Sequence, residues 1–149
     1  IVRNTYPGVH SSQIGFPGGK VEIEDKDLAD TALRETHEEV GIPPHKIQII
    51  KPFSKVYIPP SNFLVSPFMV VSHEELTFIP DHDEVKNVLE FPLFSFLDEK
   101  SITNVKMTTS YATDIEVPAF MVEKYVVWGA TAMMMSELKE AVKNAIHNE

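Results

Sequence analysis

"GGKVEIEDKDLADTALRETHEEVGIPP", residues 18–44, decides the fold. A glycine pair opens the stretch and permits backbone conformations closed to other residues, while Pro17 fixes its own φ, so a turn comes first. Asp25 or Asp27 supplies an N-cap, acidic residues fill the first turn, and Gly41 followed by Pro43 and Pro44 stops the segment. Between these signals Ala29, Ala32, Leu33, Thr36 and Val40 recur at spacings of three and four. That spacing predicts an amphipathic helix of about four turns.

Within the helix Glu35, Glu38 and Glu39 crowd into five residues. Each helical residue advances by about 100°, so Glu39 lies roughly 40° to one side of Glu35 and Glu38 roughly 60° to the other. All three share one face, offset from the apolar stripe. Like charges so close repel, and some take up protons unless a cation neutralises them. Hard oxygen ligands at this density suit Mg²⁺ or Mn²⁺. The other reading is a solvated helix surface, but a bland surface helix needs neither the Pro-Gly-Gly turn before it nor the Gly-Ile stop after it. Arg34 can pair with Glu38 at i+4 or reach back to an acidic residue of the preceding loop.

The rest of the chain sets limits. Its 149 residues fit one domain, residues 1–149, and 43% hydrophobic with 23% charged residues is ordinary globular usage. With 22 acidic against 13 basic residues the net charge is −9, which opposes a nucleic-acid partner. No apolar run is long enough to span a bilayer, so no membrane partner is expected. The absence of cysteine excludes disulfides, thiolate metal sites and a thiol nucleophile. A cytoplasmic location is the default, and a homodimer is left open. The opening "IVRNTYPG" has neither an initiator Met nor a signal pattern and reads as a fragment whose start lies upstream.

Outward from the helix, "SSQIGFPGG" reads as a short strand entering the turn. "KIQIIKPFSKVYI" and "NFLVSPFMVVS", separated by "PPS", read as two strands in a hairpin-like arrangement. "EVKNVLEFPLFSFLD" reads as a strand leading into a helical turn. "NVKMTTSYA" and "IEVPAFMVEKYVVWG" give an antiparallel pair, and "ATAMMMSELKEAVKNAIHN" closes as an amphipathic helix. Strands with helices on separate segments indicate an α/β or α+β fold. Met133 to Met135 and Trp128 read as packing residues of the last elements, with an adenine-stacking role for Trp128 as the alternative.

The stretch resembles the signature of Nudix hydrolases, G-x5-E-x7-R-E-U-x-E-E-x-G-U, where U is aliphatic. Arg34, Glu35, Glu38, Glu39, Gly41 and Ile42 match its second half, with Thr36 at a usually aliphatic place. The first half departs. Five residues from Gly19 lead to Asp25 and not to Glu, and eight rather than seven separate it from Arg34. This variant is similar to the box of the coenzyme A pyrophosphatase branch. "GVHSSQIGFPGGK" resembles that branch's upstream motif, with Ser12 where a glycine is common, and "YVVWGATA" resembles its Trp-Gly-x-Thr-Ala segment.

The resemblance implies a Nudix-type α/β/α sandwich with a mixed β-sheet between helices. It implies a small-molecule nucleoside diphosphate derivative as substrate, coenzyme A or its thioesters, cleaved at the diphosphate by water. The box alone does not separate these from ADP-ribose, dinucleoside polyphosphates or oxidised nucleotides. A non-catalytic sensing module would be favoured by loss of the glutamates, and all three are present with Arg34. By resemblance Glu35, Glu38 and Glu39 hold Mg²⁺ or Mn²⁺, and a carbonyl of Gly18 or Gly19 completes the shell. Arg3 resembles the branch's upstream arginine and suits bidentate phosphate contact. Lys20 is the second cationic candidate, with plain exposure as its alternative. Glu84 stands where Nudix folds place a further carboxylate, with a solvated loop as the alternative. Asp25 is expected to support Arg34 or simply to cap the helix. His10 resembles the branch's motif histidine, with a structural histidine that fixes the loop as the alternative, and Ser11 and Ser12 lack the elbow of a serine nucleophile.

Overall fold

A carboxylate decides where the first helix begins. In the computed structural model, which describes residues 1–4, 13–107 and 114–147, the Asp27 side chain accepts the Asp30 N–H at 2.9 Å and caps α1, Leu28–Val40. Of the two candidate caps, Asp25 is thereby left for another partner. At the far end Gly41 takes φ 73°, a left-handed conformation open to glycine, and its N–H returns to the His37 carbonyl.

The chain forms two compact units, Ile1–Leu89 and Glu90–Glu149. In the first, β1 (Val2–Arg3) pairs antiparallel with β6 (Val85–Asn87), setting Arg3 opposite Val85. Ile14, from the segment expected as a short strand, makes an isolated antiparallel bridge to Val2. The two strands expected over residues 46–72 are four: β2 (Gln48–Pro52), β3 (Val56–Ile58), β4 (Phe63–Val65) and β5 (Phe68–Val71). β3 pairs with β4 and β2 with β5, so the hairpin is present but interrupted midway. Proline has no N–H for a ladder, and Pro52 and Pro67 stand at the interruption. Phe53 N–H donates to the Pro67 carbonyl at 2.9 Å and holds the two arms together there. Val40, Ile42, Val85 and Ile1 form the core, against which Ile47, Leu76, Phe78 and Val88 pack.

The loop before β6 is tied to the end of α1. Ile79 N–H donates to the Val40 carbonyl at 2.9 Å and Asp81 N–H to that of Glu39 at 3.0 Å. These bonds satisfy carbonyls that a helix end leaves without partners.

The second unit holds α2 (Leu93–Leu97), β7 (Ile102–Met107), β8 (Ile115–Val122), β9 (Tyr125–Trp128) and α3 (Gly129–His147). The segment expected as one strand of a pair folds back on itself, so the sheet has the order β7-β8-β9. The reversal occurs at Glu123, with φ 53°, a conformation usually signalled by Gly or Asn. Phe96 and Phe120 lie 5.8 Å apart between centroids in this unit's core, with Phe91 edge-on to Phe96. Met135 is buried there, while Met133 and Trp128, expected as packing residues, are exposed.

The α+β class stands. The strands among the described residues pair antiparallel throughout, in four small sheets, where a single mixed sheet was expected. Parallel neighbours need a long crossover, and most of these pairs come from segments close in sequence. Among the described residues no helix is long and apolar enough to cross a membrane.

Candidate functional site

Arg34 joins the turn to the helix. Its Nε and Nη2 donate to Asp25 Oδ1 and Oδ2 at 2.9 and 3.0 Å, a parallel two-bond pair, and Nη2 also reaches the Lys20 carbonyl at 2.9 Å. Nη1 donates to Glu35 Oε1 at 3.0 Å and Glu38 Oε2 at 2.8 Å. One guanidinium thus fixes two helix glutamates relative to the loop. Asp25 is itself held, accepting the Glu22 N–H at 2.9 Å and the Thr31 hydroxyl at 2.8 Å. Hydrogen bonding to Arg34 is the largest cause holding the Asp25 carboxyl far below its usual range. The added residue between Asp25 and Arg34 does not prevent their meeting.

Glu39 belongs to a second arginine. Its side chain is 2% exposed, with Oε1 accepting Arg3 Nη1 at 2.9 Å and Oε2 accepting the Gly18 N–H at 2.9 Å. Arg3 Nη2 donates to the Gly18 carbonyl at 2.9 Å, closing a ring of three residues from β1, the turn and α1. Gly19 has a different role. A Cβ there would stand 2.2 Å from Glu35 Oε1, so the carboxylate rests where any other side chain would begin.

Opposite, Asp81 builds the turn that presents Glu84. Its carbonyl accepts the N–H groups of Glu84 at 3.1 Å and Val85 at 2.7 Å, and its Oδ1 accepts the Asp83 N–H at 2.9 Å. Asn4 N–H donates to the Glu84 carbonyl at 2.9 Å.

These residues surround one cavity of about 460 Å³. Arg3, Gly18, Gly19, Lys20, Arg34, Glu35, Glu38, Glu39 and Glu84, all singled out from the sequence, line it. Glu22 and Asp81 line it too and were not foreseen. Asp81 lies in the same acidic run as Glu84, "DHDE", where no spacing marks one carboxylate over another. Lys20 Nζ sits over the Phe63 ring, 5.5 Å from its centroid. His10, Ser11 and Ser12 lie outside the described residues.

The carboxylates feel one another. Burial pushes Glu35 up from its ordinary range, Arg34 opposes this, and the charges of Glu38 and Glu84 add to the rise. Burial likewise pushes Glu39 up, against Arg3 and the Gly18 N–H, with Glu35 and Glu84 adding to it. Such a set of hard oxygens suits a divalent cation in donor type. As they stand, no group of three or more His, Asp or Glu among the described residues is arranged to hold an ion. The reason is visible: Arg34 draws Glu35 and Glu38 to itself, and Arg3 takes Glu39. The donors fit in kind, with arginine nitrogens between them.

The NUDIX domain model matches residues 1–109. The "Uncharacterized Nudix hydrolase NudL" of Pectobacterium atrosepticum is 34% identical over 139 residues, covering 87% of this chain and 66% of that protein. The protein of the same description from Yersinia enterocolitica is 30% identical over 147 residues, covering 94% of this chain and 71% of its own length. That from an Enterobacter species is 31% identical over 160 residues, with 93% and 77% covered. The chain thus spans about two thirds of the first relative and somewhat more of the others. With the arginine-fixed glutamate helix and its glycine turn, the family match and these identities establish that the chain belongs to the Nudix family.

Proposed function

We propose that the chain is a Mg²⁺- or Mn²⁺-dependent pyrophosphatase that hydrolyses the diphosphate linkage of coenzyme A or its thioesters, giving 3′,5′-ADP and the (acyl-)4′-phosphopantetheine. The observation that carries the reaction class is the gathering of Glu35, Glu38, Glu39 and Glu84 around one cavity together with two arginines. The coenzyme A assignment is supported by the variant box, the segment before Phe16-Pro17-Gly18-Gly19, and the Trp128-Gly129 segment.

Glu35, Glu38 and Glu39 would hold the ion, with the Gly18 or Gly19 carbonyl. Bound there, a divalent ion neutralises the diphosphate and lowers the pKa of a coordinated water. The chain's own residues set the geometry. Arg34, anchored by Asp25, aligns Glu35 and Glu38, so little reorganisation is left for the reaction. Glu84 offers a carboxylate across the cavity, for the ion or for the water's proton. Arg3 and Lys20 are the cations for the substrate's phosphates.

A substrate panel with Mg²⁺ and Mn²⁺ tests this, comparing coenzyme A, acetyl-coenzyme A, ADP-ribose and nucleoside triphosphates by product identity. A preference of about tenfold or more for coenzyme A forms, ~1.4 kcal/mol in transition-state binding, is expected. A preference for another member of the panel overturns the substrate assignment. Glu38→Gln and Glu39→Gln should each abolish turnover and leave the fold intact. Parental turnover in both would overturn the ligand assignment.

A further inference from the structure

Arg3 bridges two oxygens from different segments, Glu39 Oε1 and the Gly18 carbonyl, with one nitrogen 2.9 Å from each. On the reading of the site as a divalent-metal centre, Glu39 is an ion ligand and the Gly18 carbonyl is one of the two candidates that would complete the shell. We propose that Arg3 is the resident counter-cation of this site, that a divalent ion enters by taking Glu39 Oε1 and the Gly18 carbonyl from it, and that the exchange frees the guanidinium for the substrate's phosphates.

A carboxylate 2% exposed needs a positive or hydrogen-bonding partner at all times, because burying an unpaired charge is costly. Glu39 is fully provided for. Among the described residues no buried side-chain nitrogen or oxygen lacks a partner, those of Glu39 included. A guanidinium and a divalent ion repel each other, so an ion drawn to Glu39 Oε1 and the Gly18 carbonyl competes with Arg3 for them. The arrival of one weakens the hold of the other. Glu39 Oε2 keeps the Gly18 N–H through the exchange, so neither the carboxylate nor the turn has to be rebuilt.

Arg34 cannot play this part. Its Nε and Nη2 are occupied by Asp25 and the Lys20 carbonyl, which anchor it to the loop. Arg34 gives only Nη1 to would-be ligands, Glu35 and Glu38, whereas both side-chain partners of Arg3 are such groups, and the Arg3 backbone is pinned separately, its N–H donating to the Gln13 carbonyl at 3.0 Å. The side chain can swing from a fixed root.

Direct Mn²⁺ titration at pH 8, with free ion followed by its EPR signal and no substrate present, tests the exchange in the parent, Arg3→Gln, Arg3→Lys and Glu39→Gln. Arg3→Gln is expected to bind Mn²⁺ roughly tenfold more tightly than the parent, since the ion no longer displaces a charge-assisted pair. Arg3→Lys, which keeps the charge but cannot fork across both oxygens, should fall between and serves if Arg3→Gln does not fold. The rise in melting temperature on adding Mn²⁺ should be larger in either variant than in the parent. Equal or weaker binding by folded Arg3 variants, with binding lost in Glu39→Gln, would overturn the exchange and leave the metal-centre reading standing. Binding by Glu39→Gln equal to the parent's would sink that reading itself.

Discussion

Adding one methyl group at Gly19 should disable the site without unfolding the chain. Gly19 is not among the glycines with left-handed φ, so alanine meets no backbone strain there. Its Cβ would lie 2.2 Å from Glu35 Oε1, 2.5 Å from Cδ and 2.6 Å from Oε2. Ordinary heavy-atom contact is roughly 3.5 Å, so the carboxylate must retreat by about 1 Å. The obstacle is the end of a flexible side chain, which limits the stability cost to about 1 kcal/mol. Function is less forgiving. Glu35 Oε1 is also an acceptor for Arg34 Nη1, so its retreat disturbs the alignment with Glu38. A displacement near 1 Å costs a rate on the order of 100-fold. Steady-state hydrolysis of coenzyme A, with thermal melting in parallel, measures both. Gly19→Ala with parental kcat and parental stability would refute the placement of Glu35 against the turn as a functional contact. Lost activity together with a collapsed melting transition would refute the separation of site from fold.

Two further substitutions probe one arginine-centred and one lysine-centred contact. Asp25→Asn removes the anionic partner of Arg34, and kcat should fall roughly tenfold or more with the Mn²⁺ affinity less affected. The pH dependence has a definite sign: a folded-state pKa held below the ordinary 3.8 contributes stability in full above that value and loses it as pH falls through the depressed one. The gap in melting temperature between parent and Asp25→Asn should therefore be level from about pH 5 to 8 and close below about pH 4. In the second unit, Lys139 is buried and donates to the Asp98 carbonyl at 3.0 Å and to Ser101 Oγ at 3.4 Å. Lys139→Ala should lower unfolding free energy by about 2 kcal/mol in denaturant titration. An unchanged midpoint would show those bonds to be without net value.

The helix and its glutamate face were legible because helix signals are local. A cap, a period and a glycine stop all lie within residues 25–44. The choice between Asp25 and Asp27 was not legible, since either can cap. Only the arrival of Arg34 at Asp25, nine residues away, makes Asp27 the cap. The strand count failed for two different reasons. The runs at 46–72 contain prolines whose missing N–H breaks the ladder, a signal present in the sequence but outweighed by the β-branched pattern. The turn at Glu123-Lys124 carries no glycine, asparagine or proline, so nothing local announced it. Arg3 was picked out as a cation near the turn, but its engagement with Glu39 spans 36 positions, and no short-range rule reports such a contact.

The two arginines explain how a chain of charge −9 tolerates carboxylates packed face to face. Arg34 is bound mainly to what does not change, the Asp25 carboxylate and the Lys20 carbonyl, so its effect on Glu35 and Glu38 is positional. Arg3 is bound to Glu39 and Gly18, groups proposed above to hold an ion, so on that proposal its effect is one of occupancy. On the proposal above, repulsion among these glutamates is relieved by one cation that stays and one that can be exchanged. Neutralising all the carboxylates permanently would leave a divalent ion nothing to gain, and leaving them bare would leave their mutual repulsion unrelieved. A fixed guanidinium beside an exchangeable one would avoid both outcomes, and the proposal locates the exchange at Arg3, on β1, outside the helix that carries the clustered glutamates.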